Sequence, residues 1–365
     1  MGLTVIKKVR ATLSDVAHRA GVSPVTVSRA LRHPEMVSPA LRQRIGEAVE
    51  TLHYIPNQLA SALASTRTNI VGVLVPSLTN GVFDDFLAAI QDVLERAGIQ
   101  MLVSNTRYSA AEEEKAVATL LGYHPEGVIL IGVDQSPAVR SMLEEAGVPV
   151  VQAMDMTTDP IDLNIGFDHR AAAASAVRYL HGQGHTRIAH LTVQTDPRSA
   201  RRCEGYLAAM AELGLPTEGL VGIAAQLTSV RLGAELFAQV LARAPDTTAV
   251  FCCNDDLALG VLFECNRRGI RVPEEMAIVG FNDLNFSAAT VPPLTTVSTE
   301  RPKIGVWAAE AIIAVARGSG KRPERNQVDV GFSIIERGST AARAPRGRTR
   351  VSPSRPRAPA AGSVG

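Results

Sequence analysis

The chain has 365 residues, of which 46% are hydrophobic, a formal net charge of +1 and four cysteines. That length suits a small head plus a body of one or two domains, no apolar run is long enough to span a bilayer, and four cysteines in a chain this size are not a disulfide framework. The first ten residues lack the apolar core and cleavage site of a signal peptide, so a cytoplasmic location is expected.

The small net charge hides an asymmetry. Residues 1–68 hold nine basic and four acidic residues, a net of +5. The stretch after Ser339 holds six arginines and no acid, which leaves the body between them at −10. A basic head on an acidic body is the footprint of phosphate contact.

In chain order, Thr12 reads as a helix cap, with Asp15 three positions on near the positive helix end. Val16, Ala17 and Ala20 give that helix an apolar face. Gly21 ends it, because glycine takes the left-handed turn without strain. Ser23 caps the next helix and Pro24 stands at its first position, where a missing N–H costs nothing. Val27, Ala30 and Leu31 are expected to face inward, leaving Val25, Thr26 and Arg29 near or on the outer face. Short side chains there approach base edges, and Arg29 can bond guanine or a phosphate. A plain helical hairpin has the same pattern; the positive charge favours DNA. Leu41, Ile45, Ala48, Val49 and Leu52 complete a three-helix core. Residues 58–65 favour helix, but a helix of about eight residues is unstable alone in water and is expected to form only where something buries it.

From Asn69 strands and helices alternate. Strands are predicted at 70–75, 100–104, 127–131, 148–152, 188–191, 249–252 and 276–280. Helices are predicted near 83–97, 171–182, 201–213, 229–244 and 257–268. The rhythm implies two doubly wound parallel sheets. Ligands in such sheets sit outside the carboxyl ends of the strands, and two lobes place them in a cleft that can close. The polar groups near those ends are Ser77, Asp155, Asp168, Arg202, Asn254 and Asn282. Amides and carboxylates bond hydroxyls and an arginine can clamp a carboxylate, so the set suits a polyhydroxylated ligand with or without an acid group. Asp255 reads as the cap of the following helix, Arg201 as solvated, and Glu112 to Glu114 as a solvated helix face. Cys252 and Cys253 read as packed residues of a strand. His181, His185 and His190 read as structural, since a metal needs ligands that converge in space. No catalytic residue, metal ligand or cofactor site is assigned.

The head carries Thr12-Leu13-Ser14-Asp15-Val16-Ala17, Ala20-Gly21-Val22-Ser23, Thr26-Val27-Ser28-Arg29, Val37-Ser38 and Tyr54-Ile55-Pro56-Asn57. This segment resembles the lactose-repressor (LacI/GalR) family, and the resemblance continues to about Gly338. It implies an N-terminal all-α helix-turn-helix domain (1–56), a hinge helix (57–68) and an α/β two-lobed sensor like the periplasmic binding proteins (69–338). Lobe 1 would take about 69–167 and 299–325, and lobe 2 about 168–298 and 326–338. The tail, 339–365, is rich in Arg, Pro and Ala and is expected to be disordered. By resemblance the DNA-facing set is Ser23, Pro24, Val25, Thr26, Arg29, Tyr54 and Asn57, with Pro24, Val25 and Arg29 at bases. Leu63 would wedge into the minor groove from a paired hinge helix. The implied partners are operator DNA, a second copy of the chain and a small effector, with no membrane.

Within that family Val75-Pro76-Ser77-Leu78-Thr79-Asn80, Ile165 to Asp168, Phe251 to Ala258 and Phe263 to Gly269 resemble the gluconate-operon repressors. Many sugar-binding members have aspartate where Asn282 stands; asparagine does not repel an anion. Both features favour a sugar acid, and the resemblance to the gluconate-operon repressors implies relief of repression. A neutral sugar or corepression is the alternative. A sugar-binding protein or sugar-processing enzyme is the reading from another class.

Overall fold

The computed structural model describes residues 11–55, 67–318 and 326–340, and the chain divides into two units, one to Asn69 and one from Ile70.

In the first unit Thr12 opens α1 (Leu13–Ala20) with a capping box. The Asp15 N–H donates to the Thr12 hydroxyl at 3.3 Å, and the Thr12 N–H donates back to the Asp15 carboxylate at 2.8 Å. The Thr12 N–H and the Thr12 hydroxyl, both donating to that carboxylate at 2.8 Å, hold the Asp15 carboxyl below its ordinary value. Gly21 ends α1 at φ 62°, in the left-handed region where a Cβ is strained. Ser23 caps α2 (Pro24–Arg32), and α3 (Pro39–Leu52) follows. Val16, Ala17, Val27, Ala30, Ile45 and Ala48 form the core of this unit. Leu31 departs from its expected inward position: it is 39% exposed in the last turn of α2. A core this small covers only a narrow face of α2, at Val27 and Ala30.

The second unit holds two six-stranded sheets. The chain runs β1 (Ile70–Val75), α4 (Asp84–Arg96), β2 (Gln100–Asn105), α5 (Ala110–Leu121), β3 (Gly127–Ile131), α6 (Pro137–Ala146), β4 (Val150–Ala153) and β5 (Leu163–Gly166). It crosses over and continues through α7 (His169–Gly182), β6 (Ile188–Val193), α8 (Pro197–Glu212), β7 (Val221–Ala224), α9 (Val230–Arg243), β8 (Ala249–Cys252), α10 (Asp255–Arg268), β9 (Ala277–Asn282) and β10 (Thr295–Ser298). It crosses back through α11 (Arg301–Arg317), which packs on α4, and ends with β11 (Gln327–Asp329) and β12 (Ser333–Ile335).

Lobe 1 is the sheet β11-β5-β4-β3-β1-β2, parallel throughout. Lobe 2 is β12-β10-β9-β8-β6-β7, parallel except for β12 on β10. Helices cover the sheets, so the central strands are buried and read as continuous apolar runs. One boundary is corrected. Residues 327–329 pair with β5 in lobe 1, so the return to lobe 2 comes after Asp329 and not at residue 326.

Candidate nucleic-acid interface and ligand cleft

Helix α2 presents Pro24 and Val25 to solvent at its N-terminal end and Arg29 in its last turn, with Val25 66% exposed. Ser23 and Thr26 are tied to each other: their hydroxyls are 2.9 Å apart, and the Thr26 N–H donates to the Ser23 hydroxyl at 3.2 Å. Tyr54 is half-buried against the head core. This leaves an apolar, donor-poor helix start, with an arginine further along the exposed face. Asn57 and Leu63 lie outside the described residues.

In the second unit the carboxyl ends of both sheets converge on one pocket. Arg202, Asn254 and Asn282 line it together, with Asn80, Tyr108, His169, Arg198 and Ser199 among their neighbours. Arg202 is held by three contacts. One guanidinium nitrogen donates to the Cys253 carbonyl, Nε donates to His169 Nδ1 at 3.2 Å, and the group lies 4.2 Å from the centre of the Phe281 ring. Burial pulls its pKa below the ordinary arginine value. His169 Nε2 donates to the Met154 carbonyl at 2.9 Å. Burial holds this imidazole well below its usual pKa, and the neutral ring with its proton on Nε2 satisfies both partners. Arg198 stands one helical turn before Arg202 on α8. It is bound in a fork by Asp196, at 3.0 and 3.1 Å, and lies over the Phe83 ring. Burial pulls the Arg198 pKa down, but the charge and hydrogen bonds of Asp196 outweigh it and hold the group above its ordinary value.

Three lining residues have backbone in the left-handed half of conformational space: Tyr108 at φ 56°, Met154 at 66° and Asn282 at 107°. They stand at the carboxyl ends of β2, β4 and β9. Each such residue costs on the order of 1–3 kcal/mol, and such strain gathers at ligand clamps. The pocket encloses about 30 Å³, room for one or two waters. A larger ligand therefore enters only when side chains or lobes move apart.

The other predicted ligand residues are placed elsewhere. Ser77 receives the Thr79 N–H at 3.1 Å within its own turn. Asp168 caps α7, accepting from the Arg170 and Ala171 N–H groups. Asp155 is 1% exposed and faces Arg201. Arg201 is itself a correction: rather than solvated, it reaches from α8 in lobe 2 across the cleft to lobe 1. Its guanidinium grips both oxygens of Asp134, one at 2.9 Å, and lies 2.9 Å from Asp155. The cap of α10 is Asn254, whose oxygen accepts the Leu257 N–H at 3.0 Å. Asp255 is fully buried and instead ties down the strand connection beyond β9, accepting from the Leu284 N–H and the Ser287 and Thr296 hydroxyls. Glu113 lines a second cavity, so it does not sit on a solvated face. His190 is stacked between Tyr206 and Phe251 in the lobe 2 core. Sequence reading missed Arg198, although its spacing of four from Arg202 puts both on one helix face. It also missed Tyr108, which follows the second strand and so satisfies the strand-end rule.

Residues 12–57 match the lacI family of bacterial regulatory proteins, and residues 177–340 match a periplasmic binding protein-like domain. The chain is 42% identical to the HTH-type transcriptional regulator GntR of Pseudomonas aeruginosa, over 91% of this chain and 96% of that one. This chain belongs to the lacI family. Among solved structures of lacI-type regulators, GntR of Chromobacterium violaceum is similar at 39% identity and TM-score 0.71, covering 74% of this chain and 99% of that one. The lac repressor dimer bound to operator and the anti-inducer ONPF is similar at 26% identity and TM-score 0.79, covering 92% of this chain and all of that one. The chain is thus a lacI-family DNA-binding transcriptional regulator: a helix-turn-helix head and a two-lobed sensor. None of the helices among the described residues is long and apolar enough to cross a membrane.

Proposed function

We propose that this regulator represses genes of sugar-acid catabolism and leaves its operator when a gluconate-like acid binds between the lobes. The observation that carries this reading is Arg202, a buried guanidinium in the cleft with Nε and one terminal nitrogen held by the protein. Its remaining nitrogen makes no bond among those of the described residues, which leaves a fixed donor for a carboxylate. Asn254 and Asn282 beside it are neutral and add no repulsion to an anion. The protein works in the cytoplasm as a homodimer, two heads in successive major grooves of a pseudo-palindromic operator, and it catalyses no reaction. Pro24 and Val25 contribute shape and thymine-methyl contact, Arg29 bonds guanine or phosphate, and Ser23, Thr26, Tyr54 and Asn57 lie along the backbone. Leu63 wedges between base steps.

The effector works through closure. Arg201 clasps lobe 1 from lobe 2, so a ligand that favours one degree of closure shifts that equilibrium by its differential affinity and no more. Calorimetry on the full chain tests the ligand class. A six-carbon sugar acid is expected to bind, and Arg202→Ala is expected to abolish that binding while cooperative melting is retained. Binding of neutral sugars alone would reject the acid reading.

A further inference from the structure

Two of the cavities among the described residues adjoin each other in the cleft. The smaller, about 30 Å³, contains Arg202, Asn254 and Asn282. The larger, about 190 Å³, lies at the carboxyl ends of the lobe 1 strands, against Thr106, Ile131, Glu113 and Gln135. Tyr108, Asp196 and Arg198 line both. Asp196 and Arg198 are locked in their mutual fork, which leaves Tyr108 as the side chain of the dividing wall that belongs to lobe 1.

Its position is built. Arg107 and Tyr108 are consecutive non-glycine residues in the left-handed region, at φ 54° and 56°. L-residues adopt that conformation rarely and at a cost. The turn is over-determined around them: the Thr106 N–H donates to the Val75 carbonyl at 2.8 Å, the Arg107 N–H to the Asn105 side chain at 3.0 Å, and the Ser109 N–H to the Thr106 carbonyl at 2.9 Å. At the far end of the ring the Tyr108 hydroxyl accepts from Asn80 Nδ2 at 3.2 Å, and the oxygen of that amide is fixed by the Val82 N–H, also at 3.2 Å. Both ends of the side chain are anchored, so the ring stands as a partition.

We infer that Tyr108 is a specificity-determining residue: it closes the Arg202 chamber from the larger cavity and limits the effector to a single sugar unit. This inference rests on the reading of the cleft as the effector site. With the ring in place, the larger cavity is cut off from the group that binds the acid. With it removed, a second sugar unit reaches hydroxyl, amide and carboxylate acceptors in a cavity of about 190 Å³.

The test is calorimetry on the full chain with a panel that pairs each short ligand with its glycosylated counterpart: a hexonate with a hexosyl-hexonate, and a hexose with a disaccharide. Wild type is expected to prefer the short member. Tyr108→Ala is expected to shift the short-to-long affinity ratio by roughly tenfold or more towards the long member, and Tyr108→Phe, which keeps the ring, to retain the short preference. Thermal melts of both variants show that they fold. A ratio unchanged in Tyr108→Ala, or a wild type that binds the long member as tightly as the short, overturns the partition. A wild type that binds the hexose pair and not the hexonate pair overturns the acid reading, while the partition is still judged on the hexose pair.

Discussion

Burial pushes the Asp155 carboxyl up to about 6, although the Arg201 guanidinium pulls the other way from 2.9 Å. The nearer oxygen has no aligned hydrogen bond, so the ion contact offsets only part of the desolvation. Because the folded-state pKa lies above the ordinary 3.8, the native state binds more protons than the unfolded chain between about pH 4 and 6. Stability linked to Asp155 is therefore fully present below that window and is lost as pH rises through it. Urea unfolding of wild type and Asp155→Asn across pH 4 to 7 measures this. Their stability difference is expected to change between about pH 4 and 6 and to level off above; a constant difference throughout contradicts the account. The same residue shows where sequence reading stopped. Strand-end position brought Ser77, Asp155, Asp168, Arg202, Asn254 and Asn282 into one set, and three of them meet in the pocket. Residue type and position cannot tell a side chain that faces the cleft from one that caps the next helix, as Asp168 does, or one that clasps the other lobe.

At the scale of elements, α8 carries the cleft's chemistry on two faces. Arg198 and Arg202 line the pocket, and Arg201 leaves it for lobe 1. The helix holds that placement by packing closely on α7, where a Cβ on Gly205 would stand 2.2 Å from the Arg170 carbonyl oxygen. The pair α9 and α10 repeats the device: a Cβ on Gly260 would stand 2.0 Å from the Val230 carbonyl oxygen. Backbone cannot yield as a flexible side chain can, so Gly260→Ala is expected to destabilise the protein by about 1–3 kcal/mol through overpacking. Chemical denaturation checks this, and an unchanged midpoint would show that the helices separate freely. Seven strands, β1 to β4, β6, β8 and β9, were legible because buried parallel strands such as β1 and β3 are apolar runs bounded by helices. The short strands β5, β7, β10 and β12 were not, and nor was the edge strand β11: Gln327, Val328 and Asp329 form a short, half-polar segment whose place is set by pairing with β5, a contact between residues more than a hundred and fifty positions apart. Close-packed glycines were also illegible, since a helical glycine looks the same in sequence whether or not another backbone lies against it.

Across the whole molecule, charge separates the two tasks. Residues 1–68 carry +5 and the body between head and tail −10. Within residues 1–339 the head therefore supplies the attraction for phosphate, and the body opposes nonspecific binding. The helix-turn-helix was the most readable part of the chain because its caps are local: Thr12 with Asp15, and Ser23 with Thr26, are each three residues apart. The sensor's ligand class is less local, resting on a guanidinium, two amides and a cleft that exist only after both sheets form. The most direct measurement is an operator mobility shift on the full chain, titrated with a six-carbon sugar acid, for wild type and Arg202→Ala. The acid is expected to release wild type from operator and to leave the Arg202→Ala complex intact. Equal release of both, or no release of wild type by the acid, would contradict the sugar-acid reading.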